Sequence, residues 1–296
     1  MASTGLYLGT FPVHLSMTPA ATMQRRKIPS SGEEVGVVGV GTWQTFDVGT
    51  SPSQRAPLKE VLRVLVEQGG NVIDSSPMYG RSEKVSGDLA ATLGVQDKLF
   101  YATKVWTRGR EAGVRQMEES MQKMQADPID LMQIHNLLDW PTHLKTLKEW
   151  KAQEKIRYIG ITHYTTGAFD DMRQIMRDEP IDFIQIPYSI VSRQAEEILL
   201  PLAQDQGIGV IINQPYEGGS LFRAVKGKTL PGWAHDVDCD SWGQFFLKFI
   251  LSHPAVTCVI PGTNNPKHMQ DNAGAGMGNM PDDRTRKKMV NLVENL

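Results

Sequence analysis

After Lys27 the chain alternates between short apolar runs and longer segments with helical periodicity. The apolar runs span 35–40, 71–73, 99–102, 129–134, 157–161, 183–186, 209–212 and 257–260. Each is rich in β-branched or aromatic residues, as strands buried on both faces are. The periodic segments predict helices over 57–68, 82–93, 111–124, 142–153, 167–177, 195–206, 242–251 and 266–272, with one more over 282–296 packed outside. In the first of these, Leu58, Val61, Leu62 and Leu65 share a face, and Gly69-Gly70 ends it. The stripe Val114, Met117, Met121, Met124 reads as core packing rather than a cofactor contact. Eight strand–helix units in roughly 250 residues match a single (β/α)8 TIM barrel of α/β class. A doubly wound open sheet is the alternative, but it carries a glycine-rich loop between its first strand and helix. Here Gly36 and Gly39 fall within the first run and Gly41 directly follows it, rather than between a strand and a helix.

The chain shows no shift in composition that would divide residues 24–296 into two domains. Residues 1–23 read as an N-terminal arm. Pro12 and His14 interrupt its apolar stretch and no basic residue precedes it, so a secretory signal is the lesser expectation. The longest irregular stretch, 214–241, follows the seventh run and would be a loop or lid over the barrel mouth. A net charge of −2 argues against a nucleic-acid partner, and the triplet Arg25-Arg26-Lys27 reads as solvated. The two cysteines, Cys239 and Cys258, lack metal-type spacing, so neither a bound metal nor a disulfide is expected. No apolar run approaches the ~20 residues of a membrane span, and a cytoplasmic location is the expectation.

Barrel active sites lie at the C-terminal ends of the strands. The second run ends in Asp74, the third leads to Lys104 and the fourth to His135. Tyr79 follows Asp74 in a turn containing Pro77 and Gly80, which folds it back over the mouth. Singly, each has an ordinary explanation as a cap, a loop lysine, a rim histidine or a packing wedge. Together, a carboxylate, an amine, an imidazole and a phenol on one rim point to proton-transfer chemistry.

These residues stand in segments that resemble the aldo-keto reductase superfamily over about residues 24–280. The stretch 71–83 is similar to the family's signature around its catalytic Asp and Tyr. Thr103-Lys104 resembles its lysine segment, 130–135 its histidine segment, and 259–272 the segment that holds the adenosine phosphate. The resemblance implies an enzyme that moves a hydride between NADP(H) and an aldehyde or ketone. Tyr79 would be the proton donor, Lys104 would lower its pKa, Asp74 would keep Lys104 charged, and His135 would orient the carbonyl oxygen. A cofactor-binding regulatory subunit with little turnover is the alternative within the same fold.

The resemblance also implies the cofactor-binding positions. Gly41, Thr42, Trp43 and Asp74 would line the nicotinamide side, with Thr162, His163 and Gln185 at the carboxamide. Thr162 and His163 replace the family's usual Ser and Asn. Asn213-Gln214-Pro215 stands where the family commonly has a stacking aromatic, and Tyr216 is the nearest aromatic able to serve. Pro261, Gly262, Thr263, His268, Asp271 and Asn272 would hold the adenosine half. His268 occupies the place of a usual Arg or Lys, so NADP(H) is expected over NAD(H) by a modest margin. Trp43, Tyr79, Trp106, His135 and Trp140 would contact a small carbonyl substrate. Nothing in the sequence fixes the oligomeric state.

Overall fold

The computed structural model describes residues 22–296 together with Met1, so most of the expected N-terminal arm lies outside the described residues. Met23 falls within them and is buried. A short antiparallel hairpin, β1 (Arg25–Lys27) and β2 (Glu34–Gly36), comes first. Eight parallel strands follow in one sheet, in sequential order. They are β3 (Val40–Gly41), β4 (Val72–Asp74), β5 (Phe100–Val105), β6 (Ile129–His135), β7 (Ile156–Thr162), β8 (Phe183–Pro187), β9 (Gly209–Asn213) and β10 (Cys258–Val259). Bridges Val38–Val259 and Gly41–Gly262 join the last strand to the first, and the sheet closes into a (β/α)8 barrel. The Gly39 amide donates to the Val259 carbonyl at 2.9 Å, and the Val259 amide donates to Val37 at 2.9 Å.

Ten helices surround the barrel among the described residues. Those after β3 to β8 are α1 (Pro52–Glu67), α2 (Ser82–Leu93), α3 (Arg110–Met124), α4 (Trp140–Ala152), α5 (Phe169–Asp178) and α6 (Leu199–Gln206). Then come α7 (Ser220–Ala224), α8 (Trp242–Leu251), α9 (Pro266–Gly274) and α10 (Asp283–Glu294). Helices α2 and α8 keep the bounds their periodicity predicts. Helix α1 begins at Pro52, earlier than expected, with Pro57 inside it. A proline so near the start removes only one backbone bond, which the buried face of the helix offsets. Helix α6 begins late, at Leu199, because Gln194–Glu196 forms a separate 3-10 turn. The stretch 214–241 is not without structure: it holds a 3-10 turn, α7, and a second 3-10 segment over Gly232–Val237. Met117 and Met124 of the methionine stripe are fully buried in the core.

The first apolar run is split, contrary to its reading as one strand. Val35 and Gly36 belong to the hairpin, while Val38 to Gly41 enter the barrel. The hairpin closes the barrel floor: Ile28 and Val35 pack with Phe100, Leu131, Tyr158 and Phe183 in an inner core. A larger core fills the space between the strands and the helices. Arg26 departs from the solvated reading too. Its guanidinium is partly buried and donates to the carbonyls of Leu251, at the end of α8, and of His253 and Val256 just past it, so it satisfies groups a helix end leaves free.

The glycines of the first run serve closure rather than phosphate binding. A Cβ on Gly39 would lie 2.6 Å from the Val72 carbonyl oxygen, and one on Gly41 would lie 2.9 Å from that of Ile260. Substituting Gly39→Ala is expected to destabilise the barrel by about 1–3 kcal/mol, as overpacking does. Gly167→Ala, which meets nothing within 4 Å, is the control. Urea unfolding of the two variants should separate them, and equal midpoints would show that the closure tolerates a methyl group.

Candidate active site

Side chains alternate along a strand, so every second residue of the barrel points inward. On β5 these are Phe100, Ala102 and Lys104; on β6 they are Leu131, Gln133 and His135. The floor is therefore apolar and the layer above it polar. Lys104 and Asp74 lie side by side in that upper layer, 1% and 3% exposed, with Nζ 2.7 Å from Oδ2. Lys104 also donates to the Ser75 carbonyl at 2.6 Å. Gln133 and Gln185 donate their amides to the Asp74 carboxylate at 3.2 and 3.3 Å. Burial opposes the ammonium charge, but Asp74 and Tyr79 outweigh it and the Lys104 pKa is raised.

Tyr79 lies over this pair. Its ring centroid is 5.1 Å from Lys104 Nζ. The turn that places it needs Gly80, whose φ is +61° and whose added Cβ would lie 2.4 Å from the Asp47 carboxylate. The expected lowering of the phenol's pKa is not what the site produces. Burial raises it, and Lys104 only partly offsets that, so Tyr79 stays protonated past the usual range. His135 meets Tyr79 edge to face at 5.7 Å between ring centroids. Burial, then Lys104 and His163, push the His135 pKa down to about 3, which leaves a neutral imidazole. The four residues thus converge at one end of the barrel.

The other expected positions divide. Trp43 and Trp106 stand at the mouth, 54% and 40% exposed, with Trp106 6.4 Å from the His135 ring. Trp140 instead starts α4 and packs, half-buried, against the outer core. Thr42 is buried and bonds the Asp74 carbonyl and the Ser75 hydroxyl at 3.0 and 2.9 Å. Thr162 and Gln185 are register partners at the top of β7 and β8. His163 stacks on exposed Tyr164 at 5.4 Å. Asn213 donates to the His163 carbonyl, and Gln214 to that of Tyr164; Pro215 is buried. Tyr216 does not turn to the mouth to fill the missing aromatic place. Its hydroxyl donates to Asn272 Oδ1 at 2.6 Å and its ring packs on Phe222 at 4.7 Å. Gly262 and His268 are exposed beside the start of α9, with Pro261 and Thr263 buried below them. Asp271 accepts from Ser241 and Gln244, which ties α9 to α8.

Four polar residues at or beside this layer were not foreseen. Gln133 lies two positions before His135, so the alternation of a strand puts it on the same inward face. Ser76 bonds His135 and Ser75 bonds Thr42, contacts between segments that no local pattern announces. Glu83, buried at the start of α2, accepts from Thr103 at 2.6 Å, and burial raises its pKa.

The sequence matches the model of the aldo/keto reductase family over residues 37–287. It is 30% identical over 264 residues to a methylglyoxal reductase, YeaE, of Escherichia coli, covering 85% of this chain and 89% of the relative. It is 30% identical over 222 residues to the aldo-keto reductase YhdN of Bacillus subtilis, where the match covers 69% of this chain but 63% of the relative. Among solved structures, an aldo-keto reductase from Klebsiella pneumoniae in complex with NADPH superposes with a TM-score of 0.73 at 23% identity, covering 92% of this chain and 96% of that one. The chain belongs to the aldo/keto reductase family, whose members are oxidoreductases acting on carbonyl groups.

Removing one partner of the buried pair should be costly. Lys104→Met strands the Asp74 carboxylate away from water and is expected to destabilise by about 3–5 kcal/mol. Tyr79→Phe removes only a hydroxyl at the mouth and is expected to unfold nearly with wild type. Thermal melts of the two variants check this, and a Lys104→Met variant as stable as wild type would mean that the pair contributes nothing to folding.

Proposed function

We propose that this protein reduces aldehydes or ketones with NADP(H), with Tyr79 as the proton donor. The observation that carries the reading is the Tyr79 ring over a lysine held charged by Asp74, with His135 beside it at the mouth. The named relatives and the NADPH complex of the Klebsiella structure support the same chemistry.

The residues fit such a cofactor. Gln185 Oε1 and Asn213 Oδ1 are buried without a hydrogen-bond partner among the described residues, and a carboxamide would supply donors for acceptors of this kind. The N-terminus of α9, with exposed Lys267 and His268 and the capping Asn265, suits a phosphate. When bound, the reduced nicotinamide supplies the hydride. His135, as a neutral donor, fixes the carbonyl oxygen beside Tyr79. Tyr79 gives its proton to that oxygen as negative charge develops there. Lys104 stabilises the phenolate that remains. Asp74 fixes the ammonium, and Gln133 and Gln185 fix Asp74. Trp43, Met78 and Trp106 leave exposed apolar surface around the mouth, which suits substrates with hydrophobic groups.

Tyr79→Phe should lower carbonyl reduction by about 10²–10⁴-fold while leaving NADPH affinity unchanged. Steady-state oxidation of NADPH with a panel of aldehydes checks this. Retention of more than about a tenth of kcat would exclude Tyr79 as the principal acid, and tight NADPH binding without turnover by wild type would favour a regulatory role. The pH dependence follows from the raised Tyr79 pKa. The acid form persists through neutral pH, so reduction is flat there and is lost only as pH rises through that value. Alcohol oxidation, which needs the phenolate, rises over the same alkaline range. His135, already neutral, adds no inflection between about pH 5 and 8.

The adenosine side has its own test. An imidazole at position 268 is a weaker phosphate partner than a guanidinium. His268→Arg should tighten NADPH binding roughly tenfold and leave NADH unchanged. Fluorescence titration of both cofactors measures this, and equal effects on the two would place His268 away from the 2′-phosphate.

A further inference from the structure

We propose that Ser76 is a positioning residue that holds His135 in the tautomer with its proton on Nε2, the nitrogen left free to face the substrate. The inference rests on the proposed carbonyl reduction for its catalytic meaning, but its structural basis is independent. Ser76 is fully buried, and its Oγ lies 3.0 Å from His135 Nδ1. The same oxygen accepts the Met78 amide at 3.2 Å.

A serine hydroxyl has one proton to give and two lone pairs to receive. The Met78 amide uses one lone pair, which leaves the other lone pair and the proton. If Nδ1 carried a hydrogen, it would donate to the second lone pair. The hydroxyl proton would then need another acceptor, and Ser76 Oγ has no further partner among the described residues. With no solvent exposure, water cannot take it. If Nδ1 is bare, it accepts the hydroxyl proton and every group is satisfied. A buried donor without a partner is disfavoured strongly enough to bias the two forms by roughly tenfold or more.

Protonation of both ring nitrogens would escape this choice, but the surroundings oppose it. Lys104 and His163 both disfavour a cation at His135, and so does burial. The imidazole is therefore neutral, and in a neutral imidazole fixing one nitrogen fixes the other. Nε2–H can donate to a carbonyl oxygen and to the alkoxide forming from it. The opposite tautomer would present a lone pair to that oxygen and repel it. Ser76 thus sets the polarity of His135 without touching the substrate.

Long-range proton–nitrogen NMR of histidine-labelled protein, free of cofactor, reads the tautomer directly, with His135→Gln identifying the signal. The expected result for wild type is a bare Nδ1 and a protonated Nε2. A proton on Nδ1, or averaging between the two forms, would overturn the proposal whatever the enzyme's activity. Ser76→Ala should show tautomer averaging and a fall of about three- to tenfold in kcat, with NADPH affinity unchanged. An unchanged kcat, or parallel loss of cofactor binding, would mean that Ser76 is not positioning His135. If Ser76→Ala does not fold, the wild-type spectrum decides alone. If wild type binds NADPH but turns over no carbonyl, the catalytic reading fails while the tautomer measurement still stands or falls by itself.

Discussion

The ammonium of Lys104 lies at the centre of a closed barrel, out of reach of water, and the polar layer of the molecule is arranged around it. Burying a charge is unfavourable unless its partner is close and the partner's own bonds are complete. Asp74 meets the first condition at 2.7 Å. The second needs Gln133 and Gln185 from two more strands, each donating to the carboxylate. The pair is thus a product of four strands, β4, β5, β6 and β8, held in register by the sheet. A tyrosine placed over such a pair feels two opposed effects. Burial favours the neutral phenol, and the nearby cation favours the phenolate. Here burial prevails, which keeps the proton on Tyr79.

The rest of the fold serves that arrangement by dividing the barrel interior in two. Aromatic and aliphatic side chains fill the lower half, and the β1–β2 hairpin seals it with Ile28 and Val35. The seal excludes water from below, so the field of Lys104 is screened only from the mouth. Gly39 and Gly41 let the first strand approach its neighbours closely enough to close the sheet. At the upper end β6 carries the imidazole and the connecting loops carry an apolar rim, so the polar centre opens into a hydrophobic entrance.

The region expected to hold the adenosine is built by different means. Hydrogen bonds from Ser241 and Gln244 to Asp271, and from Tyr216 to Asn272, fasten the segment after β9 to α9. Two residues expected to face a ligand therefore also join loop to helix. The use of Tyr216 in this role keeps it from the place where the family commonly has a stacking aromatic.

The barrel and its ring of four chemical residues were legible in the sequence because both rest on local periodicity. Strand and helix repeats differ, and a strand's end falls at a fixed place relative to its apolar run. That logic gave Asp74, Lys104 and His135, and the turn after β4 gave Tyr79. It failed where contacts join distant segments. The splitting of the first run depends on the barrel needing a floor. The guanidinium of Arg26 finds carbonyls more than 200 residues away. The bond from Ser76 to His135 crosses 59 positions, and the commitment of Tyr216 to Asn272 crosses 56. The direction of the Tyr79 shift was misjudged for the same reason. A nearby cation can be inferred from motif spacing, but desolvation depends on everything packed around the group. Sequence by itself determined which residues would line the strands; only the closed tertiary structure decided how dry they are and which partners hold their protons, because burial is a property of the whole fold.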